Sequence, residues 1–166
     1  ACCAVSKGSP RPVAPDEPRE LAEAAANLNL KHVVITSVDR DDLEDGGAGQ
    51  FAKTLEALRE KLPEATTEVL VPDFRPAPEL GLDLVLGADP TIFSHNVETV
   101  RRLYPAARPG SNYDHSVSLL SSAAERIGGD RVKSSLILGL GEKDEEVRET
   151  IEDLYRAGAR RINLGQ

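Results

Sequence analysis

The sequence predicts an α/β fold built on a parallel sheet of about five strands. Three observations predict it. Short apolar runs rich in β-branched residues alternate with stripes of helical period. No repeat, low-complexity tract or long linker interrupts the 166 residues, so positions 1–166 read as one domain, large enough to bury roughly 70% of its unfolded surface. Polar residues, finally, gather just after the apolar runs, where parallel α/β proteins hold their ligands.

The elements follow in order. Asp16 can cap a helix over 17–29, Pro18 suits its first turn, and Leu21, Ala24, Ala25 and Leu28 recur at its spacing. Residues 31–36 are apolar on both parities, which predicts a strand covered on both faces. Phe51, Leu55, Leu58 and Leu62 stripe the next helix, Pro63 stops it, and 68–71 form the second strand. Over 76–89, Leu80, Leu82, Leu84 and Leu86 alternate like a strand, yet parallel neighbours need a crossover, so the segment reads as a short helix. A strand at 91–94, a short helix near Val100 to Tyr104, and a longer helix from Tyr113 to Ile127 follow, the last closed by Gly128 and Gly129. A strand over 131–138, a helix over 144–157 striped by Val147, Ile151 and Leu154, and a strand over 160–164 complete the pattern αβαβαβααβαβ. Five strands curled toward a barrel leave two unpaired edges, so the sequence reads as a fragment lacking both ends of a longer protein.

Charge narrows the partners. With 28 acidic against 20 basic residues and a net charge of -8, no basic face is available for duplex nucleic acid. No apolar run approaches the roughly 20 residues of a membrane span, which predicts a cytoplasmic protein with neither nucleic-acid nor membrane partners. Cys2 and Cys3 are adjacent and poorly placed to pair with each other.

The densest chemistry lies in HVVITSVDRDDLEDGGA at 32–48, where a strand ends in Thr36 and Ser37 and then meets Asp39, Arg40, Asp41, Asp42, Glu44 and Asp45. Three further strand ends are polar: Pro72-Asp73-Phe74-Arg75, His95-Asn96-Val97-Glu98-Thr99 and Gly139-Leu140-Gly141-Glu142. Each has a plain structural reading, in which carboxylates cap helices, Arg40 and Arg75 balance them, and glycines make turns. The carboxylates could equally hold magnesium in a barrel hydrolase. His95 could ligate a metal, act as a base, or be a hydrogen-bonded structural residue.

Certain stretches are more specific. CAVSKGSP, DEPRELAEAAANLNL, HVVITSVDRDDLEDGGAGQFAKT, EVLVPDF, HNVETVRRLYPAAR, KSSLILGLGE and the closing INLGQ together resemble lipoyl synthase of the radical S-adenosylmethionine superfamily, in the family's order and over essentially the whole chain. The resemblance implies a truncated partial TIM-like (β/α) barrel. It also implies a [4Fe-4S] cluster held by CxxxCxxC, two such clusters in the full-length family, and S-adenosyl-L-methionine on the open iron. Cys3 aligns with the third cluster ligand; Cys2 departs from the family, which has an aromatic there. One cysteine cannot supply three protein thiolates, so the chain alone is expected to be inactive. The superfamily's GxIxGxxE pattern is matched by Ser135, Ile137, Gly139 and Glu142, with Ser in place of the first glycine and Ile137 against adenine. Asn96 and Glu98 fall where the family meets the ribose and methionyl parts of the cofactor, and Thr36 and Ser37 where it meets the methionyl amino group. The plainer alternative for Asn96 and Glu98 is that they cap the helix beginning near Thr99.

The implied reaction is radical insertion of two sulfurs, drawn from the auxiliary cluster, at C6 and C8 of a protein-bound octanoyl group. In it a 5′-deoxyadenosyl radical takes the two hydrogens, and the cofactors carry the chemistry while the protein orients them. Implied partners are octanoylated lipoyl-carrier domains or the glycine cleavage H protein, and an electron donor such as flavodoxin or ferredoxin. Biotin synthase, another radical sulfur-inserting family, fits the TSVDRDDL and HNVET loops poorly. A folded binding remnant without catalysis is the alternative from a different class.

Overall fold

The computed structural model describes Gly8 and residues 10–166. The chain divides into two compact units, one ending at Phe93 and the other running from Ser94 to Gln166. Its sheet has five strands in the order β1-β2-β3-β4-β5, following the sequence.

The first unit opens with α1 (Glu17–Asn27), whose Pro18 occupies the first turn as expected; Asp16 sits at the N-cap but makes no side-chain capping bond. β1 (His32–Thr36) pairs in parallel with β2 (Thr66–Leu70), from His32 against Thr66 to Thr36 against Leu70. The reading of β1 as covered on both faces is corrected here. Val33 and Ile35 are buried, whereas Val34 is 52% exposed, so the strand is covered on one face only. Between the strands, α2 (Ala48–Lys61) buries Phe51, Leu55 and Leu58. The alternating leucines do form a helix, α3 (Pro78–Gly87), with Leu82 and Val85 turned inward and Leu80 left outside. Phe74, midway along the loop after β2, packs edge-on against Phe51 with ring centroids 6.4 Å apart. Gly81 completes that packing, since a Cβ there would lie 2.6 Å from the Phe74 ring.

β3 (Ile92–Ser94) ends where the second unit begins. A 3-10 turn (Arg101–Leu103) leads into α4 (Tyr104–Ala107), and α5 (Tyr113–Ile127) starts at Asn112, whose side chain accepts from the His115 amide. After a second 3-10 turn, β4 (Val132–Ile137) pairs in parallel with β5 (Arg161–Gly165), with α6 (Asp144–Arg156) as the crossover. Leu119, Leu120, Ala123, Val132, Leu136 and Leu154 form this unit's core. Tyr104 and Tyr113 meet edge-on at 5.3 Å. Burial pushes the Tyr113 phenol up to about 12. Among the described residues, no helix is long and apolar enough to cross a membrane.

Candidate functional site

In the first unit, the acidic loop after β1 closes on its own counter-charges. Arg75 donates to Asp41 at 2.8 Å and Asp39 at 2.9 Å, tying the loop after β2 to the loop after β1. Arg40 makes a two-pronged pair with Asp42, both bonds at 2.8 Å, and that guanidinium draws the Asp42 carboxyl below its usual range. The Asp45 carboxylate accepts from the Gly47 and Gly49 amides at 2.9 and 2.8 Å, at the start of α2. Capping and charge balance thus occupy these carboxylates, and among the described residues no group of three or more His, Cys, Asp or Glu could hold a metal ion. Thr36 and Ser37 are exposed just before this loop. They line a cavity of about 680 Å³ together with Arg40, Gln50 and Phe51.

In the second unit, Asn96, Glu98 and Ile137 come together through an unusual backbone path. Glu98 has φ of +64°, a region a non-glycine residue enters at a cost of roughly 1–2 kcal/mol. The Thr99 amide closes a tight turn around it by donating to the Val97 carbonyl at 2.7 Å. β4 grips the residue from both sides: the Glu98 amide donates to Ser135 at 3.0 Å, and the Ile137 amide donates to the Glu98 carbonyl at 2.7 Å. Strain of this kind persists only where the surroundings enforce it, and here a sheet ladder does so. The Asn96 amide group donates to the Glu98 carboxylate at 3.2 Å, with both side chains half-buried.

The 3-10 turn that follows has Val100 at its N-cap and no side-chain capping bond, so neither Asn96 nor Glu98 caps it. His95 is 1% exposed, with Nε2 3.0 Å from the Ser116 hydroxyl, as a hydrogen-bonded structural histidine would be. Thr99 Oγ1 is buried without a hydrogen-bond partner.

Gly139 follows Ile137 by two residues and has φ of +93°, with nothing within 4 Å of a Cβ built there. The Glu142 carboxylate accepts from the Gly139 and Leu140 amides at 2.5 and 2.8 Å, and these amides hold its carboxyl below its usual range. Arg102 braces the same loop, donating to the Gly141 carbonyl at 2.9 Å and gripping Glu146 at 2.6 and 2.9 Å. With Arg102 alongside, the Glu146 carboxyl is pulled down to about 2.

The residues present suit a nucleoside. Ile137 offers a half-buried apolar side chain, the Glu98 carboxylate retains acceptor positions beyond the one Asn96 fills, and Gly139 lets a ligand approach the backbone. Cys3, expected to ligate a cluster, lies outside the described residues. Sequence reasoning missed Arg108, which donates to the Asn96 carbonyl at 3.0 Å, and Ser134, whose hydroxyl accepts from the Val97 amide at 3.3 Å. The only signal for Arg108 was a basic residue closing HNVETVRRLYPAAR; Ser134 in a strand carried none.

Comparison with known proteins bears on both units. The family model described as the Radical SAM superfamily matches residues 2–154. The lipoyl synthase of Methylococcus capsulatus is 50% identical over 99% of this chain and 51% of its own length. That of Thiobacillus denitrificans is 51% identical over 99% and 53%, and that of Leptospira interrogans 47% over 99% and 54%. The chain therefore spans about half the length of the curated relatives it matches. Among solved structures, the radical SAM enzyme coproporphyrinogen III oxidase from Escherichia coli superposes with a TM-score of 0.63 at 18% identity, covering 90% of this chain and 36% of that one, a likeness of fold. Since that family model matches residues 2–154, well over half of it, the chain belongs to the radical SAM superfamily.

Proposed function

We propose that the chain is the core of a lipoyl synthase, acting on an octanoyl group carried by a lipoyl-carrier domain or H protein in the cytoplasm and supplied with electrons by a flavodoxin or ferredoxin. The observation that carries this reading is the 50% identity to a curated lipoyl synthase over 99% of the chain. When bound, a four-iron cluster and S-adenosylmethionine supply the radical chemistry that replaces two C–H bonds by C–S bonds at C6 and C8.

The chain's own residues bind and orient. Asn96 and Glu98 take the ribose and methionyl parts, Ile137 the adenine face, Gly139 the close backbone approach, and Thr36 and Ser37 the methionyl amino group. Rigid strand ends support such placement better than free loops. Cys3 is assigned as a cluster ligand.

Calorimetric titration of the full-length, iron-reconstituted protein with S-adenosylmethionine tests the site. Asn96→Ala and Glu98→Ala should each weaken binding roughly ten- to a hundredfold, corresponding to ~1–3 kcal/mol for a lost buried hydrogen bond. Unchanged affinity would remove both from the site. For the activity, the gene encoding this chain, at its full length, should restore growth of a lipoate-requiring bacterium, and its Cys3→Ala form should lose cluster iron and fail to do so.

A further inference from the structure

Four of the bonds to the backbone of segment 95–98 come from β4. The His95 amide donates to Lys133 at 3.1 Å and the Val97 amide to the Ser134 hydroxyl at 3.3 Å. The Glu98 amide and carbonyl bond to Ser135 and Ile137. A further bond comes from the other direction. Arg108, at the C-terminal end of α4, donates through Nη1 to the Asn96 carbonyl at 3.0 Å.

The same nitrogen lies 3.1 Å from the Tyr104 hydroxyl and 3.3 Å from the Ser116 hydroxyl, and the guanidinium sits 5.5 Å from the Tyr104 ring centroid. Tyr104 and Ser116 are 3% and 0% exposed, so Arg108 is braced on groups buried in this unit's interior. The Ser116 hydroxyl also lies 3.2 Å from the Tyr104 hydroxyl and 3.0 Å from His95 Nε2, so one network joins the ring of His95 to the carbonyl of Asn96.

We propose that Arg108 is the positioning residue of this site, gripping the Asn96 carbonyl so that the side chains of Asn96 and Glu98 are presented to the adenosyl part of S-adenosylmethionine. The proposal rests on the cofactor reading above and extends it to a residue that does not touch the ligand. A planar, aromatic-stacked guanidinium suits the task better than a flexible ammonium, so lysine should substitute only in part.

The test uses three forms, unaltered, Arg108→Gln and Arg108→Lys, each as the full-length, iron-reconstituted protein. Amide hydrogen exchange is read by NMR, along with the ¹⁵N signal of His95 Nε2 and the dissociation constant for S-adenosylmethionine. Arg108→Gln should speed exchange at Glu98 and Ile137 at least tenfold, leave the Leu138 amide in the β4–β5 ladder unchanged, shift the Nε2 signal, and weaken binding about tenfold. Arg108→Lys should change each by about threefold, and it carries the test alone if the glutamine form does not fold. Unchanged exchange at Glu98 and Ile137, or equal acceleration at Leu138, overturns the positioning role, as does local loosening with unaltered affinity. If the unaltered reconstituted protein does not bind the cofactor while exchange responds as expected, the cofactor reading fails and the grip of Arg108 on the segment stands.

Discussion

Glu98 concentrates the residue-scale questions, because its backbone and its side chain make opposite demands. At φ +64° the backbone would be better served by glycine, while the carboxylate is what a ribose hydroxyl would meet. Glu98→Ala keeps the unfavourable conformation and loses the Asn96 bond, whereas Glu98→Gly loses the same bond and relieves the backbone. In urea denaturation the glycine form should therefore be the more stable of the two by about 1 kcal/mol, even after the extra freedom of an unfolded glycine. Both should bind S-adenosylmethionine equally poorly. Glu146 supplies a second prediction, on pH. Its folded carboxyl lies at about 2, below the unfolded value of about 4.3, so its contribution is fully present above about 4.3 and is lost as pH falls toward 2. Glu146→Gln should flatten the dependence of melting temperature on pH within that window and leave it unaltered near neutrality.

The elements were more legible than the residues they carry. α3 could be placed despite its strand-like leucines because parallel neighbours demand a crossover, a topological constraint that outweighs local alternation. Its packing partner was not legible. Nothing in the sequence brings Gly81 against the Phe74 ring, and adding a methyl there should cost about 1–3 kcal/mol by overpacking, measurable as a lower urea midpoint for Gly81→Ala. β1 was misjudged for a related reason: apolar residues on both parities record what a strand could bury, and Val34 is exposed all the same. The turn at Glu98 escaped because glutamate carries no turn signal; its conformation is imposed by long-range ladder bonds to Ser135 and Ile137. The loop carboxylates, by contrast, behave as composition suggested, as caps and counter-ions.

For the whole molecule, the sheet order leaves β1 and β5 as its end strands, and each exposes apolar side chains, Val34 at 52% and Leu164 at 51%. End strands can template pairing with other chains, and exposed apolar side chains add area to such a contact. Sedimentation should show the chain self-associating as its concentration rises, and Val34→Thr with Leu164→Thr should shift it toward monomer; a monodisperse unaltered chain at all concentrations would contradict this. One smaller feature bears on how such a chain can change over generations. Arg75 serves two aspartates, Asp39 and Asp41, that lie far away in sequence. Loss of the arginine would leave two like charges facing each other, so drift at any of the three positions is tied to the other two. Among related genes, an uncharged residue at position 75 should be accompanied by the disappearance of at least one of these acids, a correlated substitution readable from sequences alone.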